Sequence, residues 1–133
     1  MLKIKIITPG KMKEQWLEEA LSEYEKRLTG SVSIEWILKE VQPASPYLCL
    51  HPEGKAFTSP AFSKFLYKEW EKQGSRLTFV IGGPTGLSPQ ILRSASQLIS
   101  LSSLTFTHQH TRLILLEQIY RATQIEKGTE YHK

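Results

Sequence analysis

The chain has 133 residues, 40% of them hydrophobic and 23% charged, a balance that reads as globular and not disordered and suits one domain with a real core. Lysine and arginine outnumber aspartate and glutamate by 17 to 13, an excess that permits a polyanionic partner without requiring one; it is also what a soluble surface needs. The single cysteine, Cys49, excludes an internal disulfide, and neither a membrane-length apolar run nor a signal-peptide pattern is present, so a cytoplasmic protein is expected.

Leu2, Ile4 and Ile6 alternate with Lys3 and Lys5, which predicts a strand that Pro9-Gly10 ends. From Lys13 to Leu28 the residues Trp16, Leu17, Ala20, Leu21, Tyr24 and Leu28 recur at helical spacing and predict an amphipathic helix resting on a sheet. Val32, Ile34, Trp36 and Leu38 alternate again as a second strand, and Tyr47 to Leu50 reads as a third. Only Lys39 to Pro46 joins them, less than the dozen or so residues a parallel crossover needs. Either the second strand is cut short or the connection runs extended across the sheet.

A loop with Pro52 and Gly54 leads to a helix from Pro60 to Lys72, closed by Gly74. A strand from Leu77 to Ile81 then opens into Gly82-Gly83-Pro84-Thr85-Gly86. Glycines after a buried strand allow a close backbone approach to a ligand, and they also make ordinary turns; both readings stand on this segment alone. The loop lacks the Gly-Lys-Ser/Thr ending of a phosphate loop and the third spaced glycine of the dinucleotide fingerprint. Ser88 as N-cap and Pro89 at the first helical position predict a helix to about Ile99; Leu101 to Phe106 reads as a fifth strand and Gln109 to Glu126 as a last helix. The alternation predicts an α/β fold with a mostly parallel sheet flanked by helices on both faces.

In the last helix Leu113, Ile114, Leu115 and Leu116 point in every direction, which predicts burial on more than one side, by the partner in a symmetric dimer or as a central core helix. Arg112, Glu117 and Arg121 stand out among these leucines, and an ion pair between Glu117 and an arginine is the structural explanation. His108 and His110 flank the helix start without a carboxylate or cysteine cluster, so no metal site is expected.

Taken together, Phe79 to Leu87, Ser100 to Gln109, Arg112, Glu117-Gln118-Ile119-Tyr120-Arg121-Ala122 and Tyr131-His132-Lys133, with a similar segment from Met1 to Leu28, resemble the RlmH family of SPOUT methyltransferases. The resemblance spans nearly the whole chain, residues 1–133, as a single SPOUT domain, and implies a C-terminal trefoil knot. It implies an S-adenosylmethionine-dependent enzyme that methylates N3 of a pseudouridine in the helix 69 stem-loop of 23S rRNA, in the assembled ribosome, as a homodimer with no metal and no membrane. Placed on this chain, it puts cofactor contacts at Leu50, Gly82, Leu101, Ser102, Ser103, Leu104, Thr105 and Phe106. Candidates for handling the N3 proton and the target base are Arg121, Tyr131, His132 and His108, with Lys133 available for a phosphate. Rival classes are a non-catalytic RNA-binding or ribosome-associated dimer and a nucleotide-binding protein of other chemistry. Lys3, Lys5, Lys11 and Lys13 form one candidate RNA-facing group, with a solvated lysine face as the plain alternative. Thr107 stands where the family usually has proline, which predicts a looser turn before His108.

Overall fold

Alternation in the first strand fixes the sheet: Ile4 and Ile6 are buried while Lys3 and Lys5 are exposed, so one face is dry from its first residues. The computed structural model describes residues 1–132. In chain order it contains β1 (Leu2–Ile7), α1 (Gln15–Leu28), β2 (Val32–Ile37), β3 (Leu48–Ala56), α2 (Ser59–Lys72), β4 (Arg76–Val80), α3 (Pro89–Ser94), β5 (Gln97–Ser100) and α4 (His108–Lys127). The strands form one parallel sheet in the order β2-β1-β4-β3-β5.

The larger core lies on one face, where Ile4, Ile6, Leu48, Phe79 and Ile99 meet Leu17 and Leu21 of α1, Phe62 and Leu66 of α2, and Leu115 and Ile119 of α4. Each fully buried Leu or Phe contributes roughly 1.5–3 kcal/mol relative to exposure. α4 packs against both α1 and α2, so the inner side of its all-round apolar surface is satisfied within the chain, while Leu113 and Ile114 stay half-buried. On the opposite face a smaller core of Ile7, Tyr47, Cys49, Val80 and Ile91 is covered by α3 and by the segment 38–47. Coverage of the second face is therefore partial, because one six-residue helix cannot span five strands.

The β2–β3 connection runs extended, without a helix of its own, from the sheet edge past β1 and β4. Backbone bonds from Thr8 N to Ile37 O and from Gly10 N to Leu38 O hold its start, and the Tyr47 hydroxyl, donating to Ile91 O at 2.6 Å, fixes its end.

Three boundaries differ from the sequence-based expectation. α3 stops at Ser94, because Ala95 turns extended (ψ 142°) and frees Leu98 and Ile99 to pair beside β3. The fifth strand is accordingly Gln97–Ser100, and residues 101–106 are loop: Ser100 Oγ donates to Ser102 O and Ser102 Oγ accepts from Leu104 N, local bonds that compete with strand pairing. β3 continues to Ala56 through Pro52 and Gly54, but only across a register shift between Leu50 and Lys55 against β5. Gly54 is required there, since a Cβ would stand 2.5 Å from the Leu98 carbonyl carbon.

Candidate active site

At the carboxyl ends of β3, β4 and β5 the chain encloses a cavity of about 690 Å³, within the range of small-molecule sites. Three segments supply most of its wall: Leu50 to Pro52 on the β3 hump, residues 81–87 after β4, and residues 99–108 other than Ser103 leading into α4; Leu92 of α3 and Thr111 of α4 complete it. The glycine loop is both of the things its letters allow. It is a turn, with Gly86 N bonded to Gly83 O at 3.0 Å and Gly86 at φ +81°. It also presents bare backbone to the cavity.

The need for glycine at 82 is internal: a Cβ there would meet Gly86 C at 2.9 Å, and one at Gly83 would meet Pro9 Cγ at 2.9 Å. The loop folds back on itself and on the end of β1, and that compaction shapes the wall.

Leu50, Gly82, Leu101, Ser102, Leu104, Thr105 and Phe106 all line the cavity, and Ser103 does not. Leu104, 71% exposed, stands at its mouth. Sequence reasoning missed Ile81, Leu87, Leu92 and Ile99, which supply apolar floor and read in the sequence as ordinary core positions. Among the described residues no Lys, Arg, Asp or Glu lines the cavity; its titratable groups are His51 and His108.

His108 opens α4. Burial, with the nearby positive charges of Arg112 and Lys13, lowers its pKa and keeps the ring neutral at pH 7. Thr107 does not loosen this turn: its hydroxyl accepts from His110 N and caps α4. Arg112, fully buried, pairs with no carboxylate among the described residues. It donates to Pro9 O, Gly10 O, Thr8 Oγ1 and Met12 Sδ, and burial lowers its pKa. With Gln109, bonded to Lys11 O and Lys13 N, it ties residues 8–13 to the start of α4.

The other candidates gather on the C-terminal half of α4. Arg121 donates to Glu117 Oε2 at 2.8 Å, the ion pair that the sequence allowed, and to His132 Nδ1 at 3.0 Å. Tyr131 lies edge-on to Tyr120 with ring centroids 4.8 Å apart; it sits beneath the Arg121 guanidinium at 5.0 Å and donates its hydroxyl to Glu117 Oε2 at 2.8 Å. Burial first, then that bond, raises the Tyr131 pKa well above the ordinary phenol, so it remains a protonated donor. Arg121 has no lone pair, so His132 Nδ1 is the acceptor and Nε2 carries the hydrogen. Lys133, the candidate for a phosphate, lies outside the described residues. The structure thus brings Arg121, Tyr131 and His132 together and leaves His108 apart: thirteen positions along one helix correspond to roughly 20 Å.

Residues 31–132 match the family model described as predicted SPOUT methyltransferase. The chain is 55% identical to a ribosomal RNA large subunit methyltransferase H from Protochlamydia amoebophila, with all of both chains covered. It is 40% identical to the protein of that name from Streptococcus thermophilus, covering 99% of this chain and all of that one over 159 aligned positions. In structure it is similar to a probable methylase family protein from Haemophilus influenzae Rd KW20, with a TM-score of 0.62 at 6% identity, covering 99% of this chain and 70% of the other. The chain belongs to the SPOUT methyltransferase family.

Proposed function

We propose that this chain is an S-adenosylmethionine-dependent methyltransferase acting on N3 of a pseudouridine in the helix 69 stem-loop of 23S rRNA, in the assembled ribosome of the cytoplasm. It works as a homodimer of single-domain subunits, residues 1–133, with a C-terminal trefoil knot around the cavity. The observation that carries this reading is the cavity's chemistry: glycine backbone, apolar side chains and hydroxyls, and no Lys or Arg among its described lining residues. A dinucleotide or triphosphate would bring phosphates with no cation to meet them. An adenosyl sulfonium brings none, and flat apolar faces for Leu50, Leu101 and Phe106 to enclose.

When bound, S-adenosylmethionine supplies an electrophilic methyl group, so the chain's own residues need to orient, exclude water and manage one proton. Leu50, Gly82, Leu101, Ser102, Leu104, Thr105 and Phe106 would hold the cofactor. The tail cluster offers donors: the Arg121 guanidinium and His132 Nε2–H suit the negative charge that develops on the ring oxygens as N3 loses its proton. His108, kept neutral by burial at the cavity edge, is the group placed to accept a proton. Because cavity and donors sit at opposite ends of α4, the site is complete only if the partner subunit supplies the tail.

Calorimetric titration with S-adenosylmethionine, ATP and NAD tests the cofactor, with binding expected for the first alone. Preference for ATP or NAD would overturn it. Mass spectrometry of rRNA from a strain lacking the protein tests the substrate: a pseudouridine region identical to wild type would remove it.

A further inference from the structure

Parallel sheets normally have both faces covered. Here the face opposite the main core is bare at its amino-terminal side, over β2, β1 and β4, where the outward row reads Ser33 and Glu35, Lys3 and Lys5, Arg76 and Thr78. Lys3, Lys5 and Arg76 are exposed, and none forms an ion pair among the described residues. Lys3 stands in direct register with Arg76, so two like charges face each other across strands about 4.8 Å apart. That arrangement is destabilising by itself. Lysines on strands commonly guard a sheet edge, but β1 lies between β2 and β4 and has no free edge to guard. Glu35, in register with Lys5, is the one carboxylate in the row, leaving two cations in excess.

The backbone holds this row rigidly. Ser75, at φ +67°, bonds through its N–H to Trp70 O and through its carbonyl to Lys3 N, and the Trp70 indole donates to Lys3 O, so the starts of β1 and β4 are pinned at the mutual approach of Lys3 and Arg76. Lys11 and Lys13, grouped with these lysines by sequence, belong elsewhere: Gln109 and Arg112 hold their segment at the cavity end of α4.

From this geometry we infer that Lys3, Lys5 and Arg76 form a docking face for RNA phosphates, separate from the cavity and reading no sequence. The inference rests on the RNA-substrate reading above. It gives the enzyme a second, electrostatic hold on its substrate about 20 Å from the glycine loop, the length of the six residues between Arg76 and Gly82 in extended chain.

The test compares wild type with the triple variant Lys3→Gln, Lys5→Gln, Arg76→Gln. Its charge-matched control is Lys26→Gln, Lys64→Gln, Lys68→Gln on the exposed sides of α1 and α2. Binding of purified ribosomes, and of an RNA duplex of about 16 base pairs unrelated to rRNA, is measured from low to physiological salt. The triple variant should bind both at least about tenfold more weakly at physiological salt, with a salt slope shallower by about 2 to 3, while the control keeps the wild-type slope. S-adenosylmethionine affinity and unfolding temperature should match wild type. A triple variant with wild-type slope, in an enzyme that still methylates ribosomes, overturns the docking face and leaves the function standing. Loss of ribosome binding with intact duplex binding overturns it in favour of an acidic protein partner. Wild-type protein that binds neither probe overturns the functional reading itself.

Discussion

The two ends of α4 are built on opposite principles. At its start, the cavity has no Lys, Arg, Asp or Glu among its described lining residues: it offers bare glycine backbone, an apolar floor and His108, whose pKa burial lowers. At its far end, Glu117, Arg121, Tyr131 and His132 form a charged and aromatic cluster knit by four short contacts. Under the proposed function the difference separates two tasks. A neutral pocket holds a ligand that brings its own reactive group, while preorganised donors meet the charge that the reaction creates. One helix carries both and keeps them roughly 20 Å apart, so the proposed function needs its cavity and its tail from different chains.

The largest expected effect breaks this contrast at one end. Deleting Tyr131 to Lys133 should lower methyl transfer to ribosomes by at least about a hundredfold, as loss of transition-state donors does. Calorimetric affinity for S-adenosylmethionine should change less than about twofold. Equal loss of both would mean that the tail contributes to the cofactor pocket. Next comes Gly54→Ala, whose Cβ would press into the Leu98 and Ile99 backbone. Overpacking of this kind costs about 1–3 kcal/mol, read by chemical denaturation, and because it distorts the β3 hump it should weaken cofactor binding without touching the tail.

Both ends were legible in the sequence to different depths. The alternating Lys and Ile of β1, the Ser88-Pro89 start of α3 and the apolar periods of α1 and α2 carry their own local physics, and the fold follows them. The segment 97–106 was misread because Leu98-Ile99 and Leu101 to Phe106 are equally apolar in print. Pairing with β3 decides between them, and pairing is a tertiary fact. Ser103, placed in this run by the resemblance, lies in the same loop and off the cavity wall. The glycine loop announced a close approach, but the partner at Gly82 and Gly83 is the chain's own backbone and Pro9, which no spacing rule reveals.

Smaller effects sharpen the contrast at the cavity end. Thr107→Ala removes the α4 cap and should cost about 1 kcal/mol in denaturant unfolding, with tail contacts untouched. The pH dependence carries a sign. The folded-state pKa of His108 is lowered, so the unfolded chain binds its proton more readily and stability falls as pH drops through the ordinary histidine value of 6.5 towards the lower folded value. His108→Gln should flatten that part of the stability profile and leave the region above pH 7 unchanged.

Subunit complementation tests the central claim most directly. Leu101→Trp, filling the cavity, and the chain lacking Tyr131 to Lys133 are each expected to form inactive homodimers, the first failing to bind S-adenosylmethionine and the second binding it. Unfolded, mixed in equal amounts and refolded together, they should recover about a quarter of wild-type methyl transfer, because half of the dimers are mixed and each mixed dimer has one intact cavity facing one intact tail. Recovery at that level is what a shared site predicts; a mixture as inactive as its parents, with mixed dimers demonstrably formed, would contradict it.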